Sequence, residues 1–177
     1  RVGQTQVPEE VRASAVKTVK VATTVALSAT ALHSSGAFSN SGPIPPKADK
    51  ATTYTVVFGV QNMGSAVAGG TVTSILPGYV SYTGLTNGAG TFSYDETSHT
   101  VSWATGDLAQ GGRAQGSFQI SLFPSISQKG SAPELTREVS FSGYDRFAGV
   151  KVGATADAIT TETKGDSGYV ATKAIVQ

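Results

Sequence analysis

Residues 54–61 read Tyr-Thr-Val-Val-Phe-Gly-Val-Gln, and this stretch decides the fold class. Apolar groups occupy alternate positions, at Tyr54, Val56, Phe58 and Val60. This period of two is typical of a β-strand with one buried face. Related runs follow at residues 101–108 and 118–122, and Gly, Pro, Asn or Ser bound each of them. Repeated short strands with turns between them predict an all-β protein, an antiparallel β-sandwich.

The remaining strands are predicted from the same alternation and from the turn residues that interrupt it. We expect them near residues 70–76, 80–85, 90–95, 100–104, 114–123, 138–144 and 150–161. The turns between them are predicted at Pro77-Gly78, Asn87-Gly88, residues 96–98 and Gly111-Gly112. The proline-rich stretch of residues 33–51 is expected to be a loop or a segment that protects a sheet edge, because proline cannot donate a ladder hydrogen bond.

The N-terminal part of the chain divides into two segments. Residues 1–15 offer few apolar side chains, so we expect an exposed arm, with residues 16–177 forming one sandwich domain. Alternation from Val16 to Leu32 predicts one long strand, whose apolar row includes Val19, Val21, Val25 and Leu27. This strand either pairs within its own domain or is donated to the sheet edge of a neighbouring copy, as an assembly strand. The sequence leaves both arrangements open.

Composition favours an extracellular β-rich module. The chain has 177 residues, of which 39% are apolar, and this is enough for one domain with a sizeable core. Only 14% of residues are charged and the net charge is +1, so we expect no nucleic-acid partner. There is no cysteine and no apolar run long enough to span a membrane. The first residue is Arg1 rather than Met, as expected of a processed product or a fragment.

The large apolar side chains are interpreted as core rather than as a ligand platform. Trp103, the only tryptophan, alternates with Val101 and is expected to pack between the sheets. The predicted core is Tyr54, Val56, Phe58, Trp103, Phe118 and Ile120.

Candidate chemistry is sparse. His33 and His99, the only histidines, lie in separate loops, so a catalytic relay is not expected. The acidic side chains lack calcium-loop spacing and are expected to be solvated turn residues; they include Asp95, Glu96, Asp107, Asp145, Asp157 and Asp166. We therefore predict no metal site and no cofactor. Lys20 and Lys50 are conceivable donors for an internal isopeptide crosslink, although most strand lysines lie in solvent.

Three segments, in this order, carry a family resemblance: residues 54–64, residues 75–82 and residues 101–112. Together they resemble the conserved-repeat, immunoglobulin-like domain of bacterial and archaeal surface proteins, over about residues 49–163. Gln110 departs from that pattern, which usually has proline there, and Ser74-Ile75 replaces a common acidic residue. The resemblance implies an immunoglobulin-like sandwich that acts as a spacer, adhesive or assembly module, with no catalytic site to carry over.

From these observations we expect a non-enzymatic structural protein outside the cell or on its surface. It would be a subunit of a filament, layer or stalk whose partners are copies of itself. The alternative is an adhesin that binds a carbohydrate, a cell-wall component or a host protein. Aromatic residues keep that alternative open, because sugars often stack on them; they are Tyr79, Tyr82, Tyr144 and Phe147.

Overall fold

A computed structural model describes residues 19–177. Two antiparallel sheets of four and five strands pack face to face, and a small two-stranded pair lies beside them. We call the four-stranded sheet the first sheet and the five-stranded sheet the second. This confirms the predicted class, an all-β, immunoglobulin-like antiparallel sandwich. The strands are β1 Val25–Leu32, β2 Thr52–Asn62, β3 Val67–Ile75, β4 Val80–Gly88, β5 Thr91–Asp95, β6 Thr100–Leu108, β7 Arg113–Leu122, β8 Glu134–Thr136, β9 Val139–Asp145, β10 Val150–Ala156 and β11 Ile159–Thr160. Their order is β1-β2-β7-β4 in the first sheet, β10-β9-β3-β6-β5 in the second and β11-β8 in the small pair.

Strand β2 is an inner strand of the first sheet. It pairs with β1 on one side and with β7 on the other, both antiparallel. Because successive side chains of a strand point to opposite faces, its alternating apolar residues all face the second sheet. Tyr54, Val56 and Phe58 are completely buried there.

Aromatic side chains from both sheets fill the middle of the core. The Trp103 ring stacks on Phe92, with ring centroids 5.7 Å apart, and its Nε1 donates a hydrogen bond to the Ala89 carbonyl oxygen at 2.7 Å. Phe118 from the first sheet meets Phe92 with a centroid distance of 5.4 Å. Gly116 lies directly against this cluster, and a Cβ there would approach Trp103 to 2.7 Å. The missing side chain of Gly116 therefore makes room for the indole ring.

The structure corrects several predicted strand boundaries. Among the described residues the first strand begins at Val25, so residues 19–24 are not part of it: β2 ends at Asn62, the partner of Val25, and leaves them no strand to pair with. Residues 16–18 of the predicted strand lie outside the described residues. The predicted strand of residues 150–161 is two strands, β10 and β11. Asn87-Gly88 is the end of β4 and not a turn before the next strand. Strand β8, three residues long, was not predicted.

Strand β4 is an edge strand with an irregular middle. Its pairing with β7 shifts register between Tyr82 and Thr86. Gly84, inside this bulge, has a φ of 86°, in the left-handed region that favours glycine.

Helix is scarce in the part of the chain that the structure describes. Two short 3₁₀ turns, Ile126–Gln128 and Ala171–Ala174, are its helical elements. None of the helices within residues 19–177 has the length and apolar character needed to cross a membrane.

Candidate functional site: the two poles of the sandwich

The first and last described segments of the chain are bonded at opposite ends of the sandwich. Thr23 lies beside the end of β2 and the end of β9, at what we call the inlet pole: Thr23, Asn62, Gly64, Ala109 and Asp145. Gln177 lies beside the loop that precedes β2, at what we call the outlet pole: His33, Pro46, Ala48, Asp166 and Gln177. The 11 residues of β2 separate the two poles. At a rise of about 3.3 Å per residue, this separation is roughly 35 Å.

Asp145 holds the incoming chain to the second sheet. It is the last residue of β9 and is fully buried. Its Oδ2 accepts a hydrogen bond from the Thr23 backbone N–H at 2.7 Å. Its Oδ1 accepts from the backbone N–H groups of Phe147 and Ala148, at 2.8 and 2.9 Å, in the turn that leads into β10. The donors from Ala148 and Thr23 lower the pKa of Asp145 below its ordinary value, so the carboxylate is charged at neutral pH.

Asn62 holds the same segment to the first sheet. Its Oδ1 accepts hydrogen bonds from the Thr23 Oγ1 hydroxyl at 2.9 Å and from the Gly64 N–H at 3.1 Å. Its Nδ2 donates to the carbonyl oxygens of Ser65 and Ala109 at 2.7 and 2.8 Å. A Cβ at Gly64 would overlap the Thr23 side chain, so glycine is needed at this contact. Thr23 is thus bonded to both sheets at once.

Charged side chains surround these bonds on the surface of the inlet pole. The Lys20 ammonium lies 5.1 Å from the centroid of the Phe147 ring, a cation–π geometry. Arg146 forms an ion pair with Asp107 at 2.6 Å, and both side chains are well exposed. The Gly69 N–H and the nearby Arg146 lower the pKa of Asp107. Exposed pairs of this kind contribute little to stability.

At the outlet pole a second buried carboxylate joins distant segments. Asp166 Oδ2 accepts from the backbone N–H groups of His33 and Ser34 at 2.7 and 2.6 Å. Its Oδ1 accepts from the Ser35 hydroxyl at 2.6 Å. Burial alone would raise the pKa of Asp166, but the donors outweigh it and the pKa lies below its ordinary value. This carboxylate fixes the loop after β1 to the C-terminal segment.

The final residues complete the outlet pole. The Gln177 N–H donates to the Pro46 carbonyl oxygen at 2.9 Å, and the Ala48 N–H donates to the Gln177 carbonyl oxygen at 2.8 Å. Val176 exchanges backbone hydrogen bonds with Gly130 and Ser131, both at 2.9 Å, and its side chain is buried. The last residues are therefore bonded into the fold like a short strand.

The structure places the four predicted assembly-strand residues in two different segments. Val19 and Val21 lie before β1, with side chains 74% and 79% exposed. Val25 and Leu27 lie in β1, which pairs with β2 of the same chain. The predicted core residues Tyr54, Val56, Phe58, Trp103, Phe118 and Ile120 are all fully buried. The predicted arm, residues 1–15, lies outside the described residues.

The candidate chemical groups are engaged in structural contacts. His33 Nδ1 contacts the Thr53 carbonyl oxygen at 2.9 Å, and His99 Nδ1 contacts the Tyr94 hydroxyl at 3.0 Å. Asp95 accepts from the N–H of Thr97 at 2.8 Å, as a turn residue does. Within residues 19–177, no three metal-ligating side chains come together.

The crosslink candidates and the aromatic candidates have different surroundings. Lys20 and Lys50 are both exposed, and the ammonium of Lys20 faces the Phe147 ring. Tyr79 and Tyr82 are half-buried, and Tyr82 stacks on Tyr94 at a centroid distance of 5.0 Å. By contrast, Tyr144 and Phe147 are 46% and 56% exposed.

The sequence interpretation placed Asp145 and Asp166 among solvated turn residues, and the structure corrects this, because both are buried and bonded to remote backbone groups. For Asp145 a sequence signal exists, since the Asp followed by Ala148-Gly149 is typical of a turn that an aspartate closes. Its contact with Thr23, 122 residues away, has no such signal.

No family model and no curated protein matches this chain. Among solved structures it is similar to the major pilin subunit BcpA of Bacillus cereus, with 11% identity and a TM-score of 0.49 over 77% of this chain and 40% of that one. It is also similar to the full-length major pilin SpaD of Corynebacterium diphtheriae, with 8% identity and a TM-score of 0.48 over 77% of this chain and 34% of that one. Three N-terminal domains of a type V pili tip protein of Porphyromonas gingivalis give 13% identity and a TM-score of 0.46, over 59% and 23%.

The chain thus spans between 23% and 40% of the length of these three proteins. At identities of 8 to 13% and TM-scores below 0.5, these similarities do not indicate what the chain does.

Proposed function

We propose that this chain is a non-enzymatic structural module that spans distance at the outside of a cell, in a stalk, filament or layer. The observation that carries the proposal is the path of the chain from one pole of the sandwich to the other, with both ends bonded into the fold. Thr23 is held at the inlet pole by Asp145 and Asn62, and Gln177 is held at the outlet pole by Pro46 and Ala48.

This path suits a spacer because segments joined at the two poles would lie in line with the module. A linker without such bonds behaves as a flexible coil and gives no fixed direction. Here the segment before β1 is bonded to both sheets, so the direction of the incoming chain is fixed relative to the sandwich. A module of this kind adds its length, roughly 35 Å for an 11-residue strand, to the reach of the assembly.

We propose that the partners are further copies of the same module. Strand donation through residues 16–32 is not needed for this, since β1 already pairs with β2 of its own chain. Contacts between poles are the simpler arrangement. We also propose that residues 1–15 form an arm outside the sandwich domain of residues 16–177, so that their removal leaves the melting temperature unchanged and weakens association between copies.

Three copies joined in tandem test the spacer function, with residues 1–18 left out of the second and third copies so that Val19 follows Gln177 directly. Small-angle scattering should show a maximum dimension that grows by roughly 35 Å per copy, and electron microscopy should show straight rods. In the matched control, Gly and Ser replace residues 19–24 of the second and third copies, which should give bent particles with a broad range of angles. Compact clusters from the unaltered tandem protein would contradict the proposal. Antibody labelling of intact cells tests the location, and labelling only after permeabilisation would contradict it.

One surface feature favours the alternative function of an adhesin. On the outer face of the second sheet, Tyr144 and Lys151 line a depression together with Gly69 and Gly143. The exposed Tyr144 ring could stack on a sugar, as aromatic faces do. Binding on a glycan array that Tyr144→Ala abolishes would support this function, whereas equal binding by Tyr144→Ala, or none by either protein, would exclude this surface.

A further inference from the structure

The segment of residues 19–24 is not part of a strand, yet it is attached to both sheets. Its backbone carbonyl at Thr24 accepts from the Met63 N–H at 2.9 Å, and its Thr23 hydroxyl bonds to Asn62; both partners lie at the end of β2. The bond from the Thr23 N–H to Asp145 runs instead to β9, in the opposite sheet.

The geometry points to a mechanical function for this last bond. We propose that the Asp145 carboxylate is a lock that transfers tension entering at Thr23 directly to the second sheet. The inference rests on the proposed spacer function, because only a module held in line is loaded from pole to pole.

The attachment of β1 shows why such a lock is needed. Strand β1 lies at the edge of the first sheet and is hydrogen-bonded to β2 alone. Tension applied at Thr23 along the strands would load the hydrogen bonds between β1 and β2 in shear, and once these give way, β1 can leave the sheet edge. A bond from Thr23 to β9 shares the load with a strand that pairs on both sides, with β10 and with β3.

The chemistry of the bond suits this load. A hydrogen bond from an N–H to a carboxylate is roughly twice as strong as one between neutral groups. The carboxylate of Asp145 is shielded from water, which would otherwise compete for it, and its other oxygen is held by the turn at Phe147 and Ala148. The acceptor is therefore fixed in position before any force acts.

Three variants separate this bond from its neighbours. Asp145→Asn removes the carboxylate, and Thr23→Pro removes the donor N–H while leaving Asp145 and its turn unchanged. Thr23→Ala is the matched control, because it loses the hydroxyl bond to Asn62 and keeps the N–H. Asp157→Asn, at an exposed residue of the outlet half, controls for the loss of one charge.

Single-molecule pulling on the full chain tests the lock. The chain has no cysteine, so Val19→Cys and Leu85→Cys, both at exposed residues, each provide a single handle, with the second handle on a tag after Gln177. Pulled from residue 19, Asp145→Asn and Thr23→Pro should unfold about tenfold faster or more at a fixed load than Thr23→Ala and Asp157→Asn. Pulled from residue 85, the force bypasses Thr23, and all four should unfold at rates that differ much less.

Two results would overturn the lock. One is an equal acceleration from both handles, which would make Asp145 a general stabilising residue. The other is no acceleration from residue 19 in Thr23→Pro. Either result is compatible with the spacer function if the tandem protein still forms straight rods. Bent or compact tandem particles would contradict the spacer function, whatever the unfolding rates under load.

Discussion

Replacing Trp103 by alanine should lower the free energy of unfolding by about 3 to 5 kcal/mol. The indole ring is fully buried and stacks on Phe92, with centroids 5.7 Å apart. Alanine would leave a cavity between the sheets, and this cavity accounts for most of the expected loss. The hydrogen bond from Nε1 to Ala89 contributes less, because Ala89 is exposed and water can replace the lost donor. Trp103→Phe, which keeps an aromatic ring in the core, should therefore cost clearly less than Trp103→Ala.

Urea unfolding followed by far-ultraviolet circular dichroism measures these losses, since Trp103→Ala removes the only tryptophan fluorophore. Phe123→Ala is the control, because that side chain is 54% exposed and its loss should cost less than about 1 kcal/mol. A loss below about 1 kcal/mol for Trp103→Ala would refute the cavity argument, as would equal losses for the alanine and phenylalanine variants at this position.

Three further predictions concern the core and the poles. Tyr54→Phe should raise the unfolding free energy in urea by up to about 1 kcal/mol, because the buried Tyr54 hydroxyl has no hydrogen-bond partner among the described residues; a loss would show a missed partner. Gly116→Ala should lower it by about 1 to 3 kcal/mol through overpacking against Trp103, and an unchanged urea midpoint would contradict this. The pKa values of Asp145, which accepts from the Ala148 and Thr23 N–H groups, and of Asp166 are both lowered from 3.8. Their stabilisation is therefore present above about pH 4 and lost as pH falls through the folded-state values. Urea midpoints between pH 7 and pH 2 should therefore fall at the acid end, and should fall less in Asp166→Asn; equal acid slopes would contradict the assignment.

The sequence predicts the strands of the sandwich well where the alternating apolar residues lie in a segment that pairs with a neighbouring strand. Strand β2 shows this, because its apolar row faces the core along its whole length and both its neighbours run beside it. The first strand shows the limit. Val19 and Val21 continue the alternation of β1, but β2 ends at Asn62, and a strand needs a partner as well as a pattern. Periodicity carries no information about how long the neighbouring strand is.

Short elements and remote contacts lie beyond local patterns for related reasons. Strand β8 has three residues, too few to show a period, although Leu135 within it is fully buried. The bonds of Asp145 to Thr23 and of Asp166 to His33 join residues more than a hundred positions apart. Such contacts depend on which strand ends meet at a pole. The topology of the whole fold determines this, and local sequence does not reveal it.

The bulge in β4 has a consequence for crowding. Modules tethered in one assembly experience effective concentrations of about millimolar, at which exposed sheet edges tend to join and aggregate. Strand β4 offers such an edge over nine residues, but the register shift between Tyr82 and Thr86 interrupts its straight row of donors and acceptors. A second strand could pair with only part of it. In the proposed assembly, Gly84 would therefore help neighbouring modules remain separate at high density, and a change that straightened β4 would favour sideways fusion into insoluble material.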